Sequence, residues 1–304
     1  LNRTQVPRRD RRATEQRTVV DGLPIARGPV GRLRRRLQSA LVSAAEREEA
    51  LVDRRLLERP APTRANTTAV ASPKGGVGKT TASFLIGNLL ASRLRLRVVA
   101  VDANPDLGTL GELARRGCRA DGSLADLLRQ GDRPRTASEL RAYAVSLPTG
   151  LHVLAGDRLP TGLTAARCEE LLDVVKRFYD VVILDLGTAA AGGLTRFVLD
   201  RSDQLVLVSD AQWIAARTVL EALPHLAHER TILALNKTRP QWDAGEAAIE
   251  RRLDERAPDG AHRIPYDATL AAMLDSGTYT LEALARPTRV AVKRLGLAVA
   301  EQLA

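Results

Sequence analysis

The chain has 304 residues, 44% of them apolar and only 3% aromatic, and a formal net charge of +10. That length holds one large α/β domain with an appendage, or two small domains. No apolar run approaches the ~18–20 residues of a membrane span and no secretory signal pattern is visible; Cys118 and Cys168, far apart and outside any CxxC or Cys/His cluster, argue against a disulfide framework or zinc site and fit a reducing cytosol.

The charge is not evenly spread. Residues 1–65 contain sixteen Arg and no Lys against eight Asp and Glu, a net +8 that leaves only +2 for everything after them. The basicity belongs to the leading segment, and the main body is not a basic protein. Residues 1–27 are polar, Arg-rich and without periodicity, which predicts a disordered or loosely attached stretch. Val30, Leu33, Leu37, Leu41 and Ala44 then recur at helical spacing, with Arg32, Arg34, Arg35 and Arg36 crowding the first turns. An amphipathic helix near residues 30–50 of this kind can lie on an anionic membrane, dock on a partner or track nucleic-acid phosphates. Equally, it can pack its stripe on the body and leave the arginines in water. Pro60 and Pro62 mark a linker. The expected organisation is a basic, partly disordered extension over 1–65 and one larger domain over 66–304.

From residue 67 strands and helices alternate. Apolar, β-prone runs at 67–72, 96–102, 151–155, 180–186, 203–208, 230–235 and 262–265 are separated by helical patterns at 80–90, 107–117, 163–178, 212–227 and 243–255. This is the signature of an α/β fold with a mostly parallel twisted sheet and helices on both faces. Ligands in such folds bind at the carboxyl ends of the strands.

The first strand leads into Ser-Pro-Lys-Gly-Gly-Val-Gly-Lys-Thr-Thr, residues 72–81. Gly75, Gly76 and Gly78 lack a Cβ, so the backbone around Val77 can curl and turn N–H groups toward phosphate oxygens. A following helix N-terminus adds its positive dipole end. In this context Lys79 reaches the β- and γ-phosphates and the Thr80 hydroxyl ligates Mg2+, with Thr81 counted among the cofactor-binding residues of the loop. The ordinary Gly-x-x-x-x-Gly-Lys-Ser/Thr pattern fails because its first glycine falls on Pro73. The variant present is Lys-Gly-Gly-x-Gly-Lys-Thr, with an additional lysine, Lys74.

The strand over 96–102 ends in Asp102, followed by Ala-Asn104-Pro-Asp106. A carboxylate beside a phosphate loop can hold Mg2+ or orient water; it can also serve as an Asx turn or helix cap, the role expected of Asp106. Asp180-Val-Val-Ile-Leu-Asp185 is a second apolar strand ending in a carboxylate, suited to Mg2+ when paired with such a loop. A mobile-looking Leu186-Gly187-Thr188 follows. A third strand ends in Asn236-Lys237, where an amide offers both donors and an acceptor to a base edge.

Together these segments resemble the deviant P-loop ATPases of the ParA/MinD family, over about residues 66–304. The resemblance implies a P-loop NTPase fold and a homodimer that sandwiches ATP, with Lys74 crossing to the opposite subunit's phosphates. It implies Lys79 and Thr80 as phosphate and Mg2+ groups, Asp102 and Asp185 as metal and water carboxylates, and Asn236 as an adenine contact, with Lys237 beside it among the cofactor-binding residues. Pro265 and Asp267 look like that family's final nucleotide-proximal segment. A protein activator or cargo partner, and non-specific DNA or an anionic membrane surface met through the Arg-rich segment, are the implied partners. The Val-Asp-Ala-Asn-Pro-Asp segment behind an Arg-rich leader looks most like MinD-like proteins beside type VII secretion systems.

Three departures matter. Asn104 stands where the family usually has an aspartate that helps position water, and an amide is a poor proton acceptor at neutral pH. Slow ATP turnover is therefore expected. Residues 186–190 lack the family's Pro-containing switch. Arg289 to Leu303 reads as a core helix rather than an appended membrane helix.

Overall fold

In a computed structural model the protein is described at residues 44–103, 109–116, 122–129, 133–156, 163–188, 193–226, 228–239, 244–256 and 260–303. The chain divides into two compact units, Leu1–Glu48 and Glu49–Ala304. Of the first, only residues 44–48 are described, and they are helical. Most of the amphipathic stripe expected near 30–50 lies outside the described residues.

The second unit opens with a helix, α1, over residues 49–57. The chain then runs β1 (Asn66–Ser72), α2 (Lys79–Arg93), β2 (Val98–Ala103), α3 (Thr109–Arg115), α4 (Leu124–Arg129), α5 (Ala137–Arg141), β3 (Val145–Ser146) and β4 (His152–Leu154). It continues through α6 (Ala165–Val175), β5 (Val181–Thr188), α7 (Gly193–Arg201), β6 (Gln204–Asp210), α8 (Trp213–Leu226) and β7 (Thr231–Thr238). Last come α9 (Ala244–Asp254), β8 (His262–Pro265), α10 (Ala268–Ser276) and α11 (Arg286–Glu301).

Among the described residues these strands form one eight-stranded sheet in the order β3-β4-β2-β5-β1-β6-β7-β8. Every pairing is parallel except β3 with β4. The central strands are buried end to end, which is why they read as continuous apolar runs rather than alternating ones. Register lines up the polar strand ends: Asp102 lies opposite Asp185, and Asp210 opposite Asn236. The fold thereby gathers acidic and amide groups from separate strands onto one rim of the sheet.

One apolar layer, including Leu171, Val175, Val219 and Leu235, covers one face of the sheet. A second, built from α2, α3 and α11 with Phe84, Leu90, Leu110 and Leu295, covers the other. α2 and α11 approach closely at Gly296, where a Cβ would fall 1.9 Å from the Leu89 Cδ2. A third cluster packs Val52 and Leu56 of α1 on Leu85, Leu89, Leu270, Leu281, Leu284 and Val292.

Charge reinforces that packing. Lys293, 3% exposed, donates to Glu49 at 2.9 Å and to Asp53 at 2.7 Å, and Arg289 bonds both Glu49 oxygens at 2.6 and 3.0 Å. A buried ammonium is tolerated only when paired in this way. The Arg289 hydrogen bond, with Lys293 acting in the same direction, lowers the Glu49 pKa to about 2 against the opposing effect of burial. Arg55 and Arg59 add exposed pairs to Glu301.

Candidate functional site

The phosphate loop leaves the end of β1 and enters α2, as its glycines require. Gly76 and Gly78 have φ of 76° and 99°, left-handed values that side chains resist. Gly78 is constrained twice, because a Cβ there would sit 2.1 Å from the Asn236 Nδ2. At Gly75 a Cβ would make only ordinary contact with the Thr188 Cγ2, 3.7 Å away. Val77 is fully buried and anchors the loop.

Lys79 is 8% exposed and its ammonium lies 3.4 Å from the Lys74 carbonyl. Burial lowers its pKa and the Asp185 charge opposes that shift. The Thr80 hydroxyl sits 3.1 Å from that of Thr109. Asp185 is buried at the end of β5 and its Oδ1 accepts from the Ser83 hydroxyl at 3.1 Å. Its Oδ2 is buried without a hydrogen-bond partner. Burial pushes the Asp185 pKa up to about 7; the Thr80 hydroxyl tempers the rise, Asp102 adds to it, and Ser83 and Lys79 temper it further. A cation at that oxygen would relieve both the unmade hydrogen bond and the desolvated charge.

These residues fit Mg2+. That ion is usually held by one or two carboxylates together with substrate phosphates, not by a protein cage. Thr80 and Asp185 supply such a partial set. Among the described residues no group of three or more His, Cys, Asp and Glu gathers as a cage.

Asp102, at the carboxyl end of β2, also serves the backbone. Its Oδ2 accepts from the backbone N–H groups of Leu110 and Gly111 at 3.0 and 3.1 Å, so it ties down the start of α3. Asp106, expected as a helix cap here, and Asn104 lie outside the described residues.

Lys74 is part-exposed. Its Nζ lies 3.4 Å from the Gln212 Oε1 and 3.9 Å from the Asp210 Oδ2, beyond the end of β6. The sequence reading missed Asp210 and Gln212, although β6 carries the same signal as β5, an apolar strand ending in Asp. It also missed Ser83, one helical turn after Thr80.

Asn236 and Lys237 do reach the site, but by way of the loop. The Asn236 Nδ2 donates to the Val77 carbonyl at 3.0 Å and the Lys237 Nζ to the Gly76 carbonyl at 2.7 Å. Beside them a pocket of about 270 Å³ is lined by Asp210, Gln212, Lys237, Arg239 and Tyr266. Pro265 pairs with Thr238 in register just behind this pocket. Asp267 caps α10 through hydrogen bonds from the N–H groups of Thr269 and Leu270, at 2.8 and 3.2 Å.

Comparison with known proteins extends this picture. Residues 68–281 match the model of the CobQ/CobB/MinD/ParA nucleotide binding domain. The chain is 27% identical over 216 residues to the ESX-1 secretion-associated protein EspI of Mycobacterium tuberculosis, covering 67% of this chain and 32% of EspI. It is 30% identical over 165 residues to the sporulation initiation inhibitor protein Soj of Bacillus subtilis, covering 52% of this chain and 62% of Soj. The chain therefore spans about a third of EspI and less than two thirds of Soj. In fold it is similar to a ParA family ATPase from Chlorobium tepidum, with TM-score 0.62, 22% identity and coverage of 76% of this chain and 98% of that one.

Proposed function

The chain belongs to the CobQ/CobB/MinD/ParA nucleotide-binding family, and from that premise we propose that it is a switch that binds ATP with Mg2+, dimerises around the nucleotide and hydrolyses it slowly. The change of state would position or partition a cargo inside the cell: a chromosome or plasmid, the division site or a secretion machine. The observation that carries this reading is the unpartnered, buried Oδ2 of Asp185 behind a phosphate loop that also presents Lys79 and Thr80.

When bound, Mg2+ would neutralise phosphate charge and polarise the γ-phosphoryl group. The chain's own groups divide the remaining work. Lys79 counters phosphate charge, Thr80 and Asp185 hold the ion, and Asp102 keeps α3 beside the loop.

Lys74 supports the dimer. Its contacts at 3.4 and 3.9 Å are longer than the ~2.7–2.9 Å of a strong charge-assisted hydrogen bond, so the ammonium is easily released to another acceptor. Trp213 and Ile214, 50% and 69% exposed just beyond Gln212, offer apolar area to a second copy. A protein activator or cargo would act on that dimer. The Arg-rich segment would meet DNA or an anionic membrane without sequence preference, and the affinity would fall steeply with salt. No described helix is long and apolar enough to cross a membrane.

Light scattering on the full chain with ADP or a non-hydrolysable ATP analogue tests the switch. The analogue is expected to give dimers, and Lys74→Ala is expected to bind nucleotide yet stay monomeric. A wild-type chain that stays monomeric with saturating analogue would refute the dimer. A second reading, a non-hydrolysing ATP-binding component of a type VII-like secretion complex, is favoured by the similarity to EspI and by Asn104. Phosphate release that stays at background with DNA, with lipid vesicles and with neither would favour it.

A further inference from the structure

Two adjacent residues at the end of β7 hold two adjacent carbonyls of the phosphate loop. Asn236, 7% exposed, donates to the Val77 carbonyl and Lys237 to the Gly76 carbonyl. Neighbouring residues of a strand normally point to opposite faces. Here Lys237 has a φ of 56°, a left-handed value shared among described non-glycine residues only by Arg95. That turn breaks the alternation and brings both side chains to the loop. A bulky residue held in the left-handed region marks an over-determined site.

The consequence follows from peptide geometry. In a planar trans peptide the carbonyl of one residue and the N–H of the next point in opposite directions. Fixing the Gly76 carbonyl therefore fixes the Val77 N–H, and fixing the Val77 carbonyl fixes the Gly78 N–H. Asn236 and Lys237 control the directions of two backbone donors in the loop. Gly78 leaves room for this, since a Cβ there would displace the Asn236 amide.

We propose that Asn236 and Lys237 are positioning residues for the polyphosphate rather than readers of the base. They pre-orient the Val77 and Gly78 N–H groups toward phosphate oxygens, and they do so whatever base is attached. The inference rests on the nucleotide-binding reading of the site and departs from the adenine contact expected of Asn236.

The test compares equilibrium binding of ATP, GTP and inorganic tripolyphosphate, all with Mg2+, to the full chain and to Asn236→Ala, Lys237→Met and Lys237→Arg. Lys237 is exposed, so Lys237→Met gives an answer even if Asn236→Ala perturbs folding, and melting temperatures monitor both. Loss of one such hydrogen bond is expected to weaken ATP and tripolyphosphate by the same factor, about five- to tenfold. The ATP-to-GTP ratio should stay unchanged, and Lys237→Arg should recover most of the lost affinity. Weakened ATP with unchanged tripolyphosphate would assign the pair to the base and overturn the proposal. Unchanged affinity for all three ligands would overturn it as well. A wild-type chain that binds none of them would instead remove the nucleotide reading, and this inference with it.

Discussion

Lowering the pH should undo the clasp between α1 and α11 in a defined window. Glu49 ionises at about 2 in the folded protein against an ordinary value of 4.5, chiefly through its hydrogen bond from Arg289. A carboxylate with a depressed folded pKa contributes stability that is fully present above the unfolded value. That contribution is lost as pH falls toward the folded value. The shift would correspond to about 3 kcal/mol if it were fully expressed, and solvent screening reduces this to on the order of 1–2 kcal/mol. Glu49→Gln should therefore be less stable than wild type by about that amount at pH 7. The gap should begin to close near pH 4.5, be about half gone near pH 3 and vanish toward pH 2. Urea unfolding of both proteins across pH 7 to 2.5 measures the gap, and the difference cancels the carboxylates they share. A gap that stays constant over this range, or is absent at pH 7, would refute the clasp as a source of stability.

Other consequences can be measured separately. Leu56→Ala, at a side chain 2% exposed on the inner face of α1, should cost about 2–3 kcal/mol in the same unfolding assay. Gly78→Ala should lower nucleotide affinity by about tenfold or more, since it combines left-handed strain with a collision at Asn236, whereas Gly75→Ala should bind nearly as wild type. Binding isotherms for the two variants decide this. Asp185 has a raised folded pKa, so its charge penalises the folded state increasingly as pH rises from the unfolded value through about 7. Asp185→Asn should thus melt higher than wild type at pH 8 without nucleotide, while losing the Mg2+ dependence of ATP binding. Ile214→Glu should leave ATP affinity within about twofold and weaken ATP-dependent dimers by about tenfold or more in sedimentation experiments.

The parallel strands were legible because burial on both faces makes each a continuous apolar run, as in Val181 to Leu184. β3 was not, since Val145–Ser146 is too short to set a period. α4 and α5, one or two turns each, escaped for the same reason. The contribution of residues 49–57 to the body was obscured by the surrounding arginines. Its signal was the parallel i, i+4 spacing of Val52 with Leu56 and Glu49 with Asp53, apolar and acidic contacts on one helix. At the site, residue types identified the loop and its carboxylates, but not which way each side chain turns. Asp102 reaches the backbone of α3 and Asn236 the backbone of the loop, and neither direction is encoded by residue type alone.

The sheet's two edges bear on how copies of the protein can meet. One edge is β3, two residues long and antiparallel to its neighbour; the other is β8, four residues long with Arg263 and a terminal Pro265. A short strand offers few unpaired backbone groups, and proline offers no N–H at all. Sheet-to-sheet addition between copies, the route to open-ended fibres, is blunted at both ends. The proposed nucleotide-gated dimer would instead meet at the rim of strand termini, where a contact made through a small ligand can be reversed.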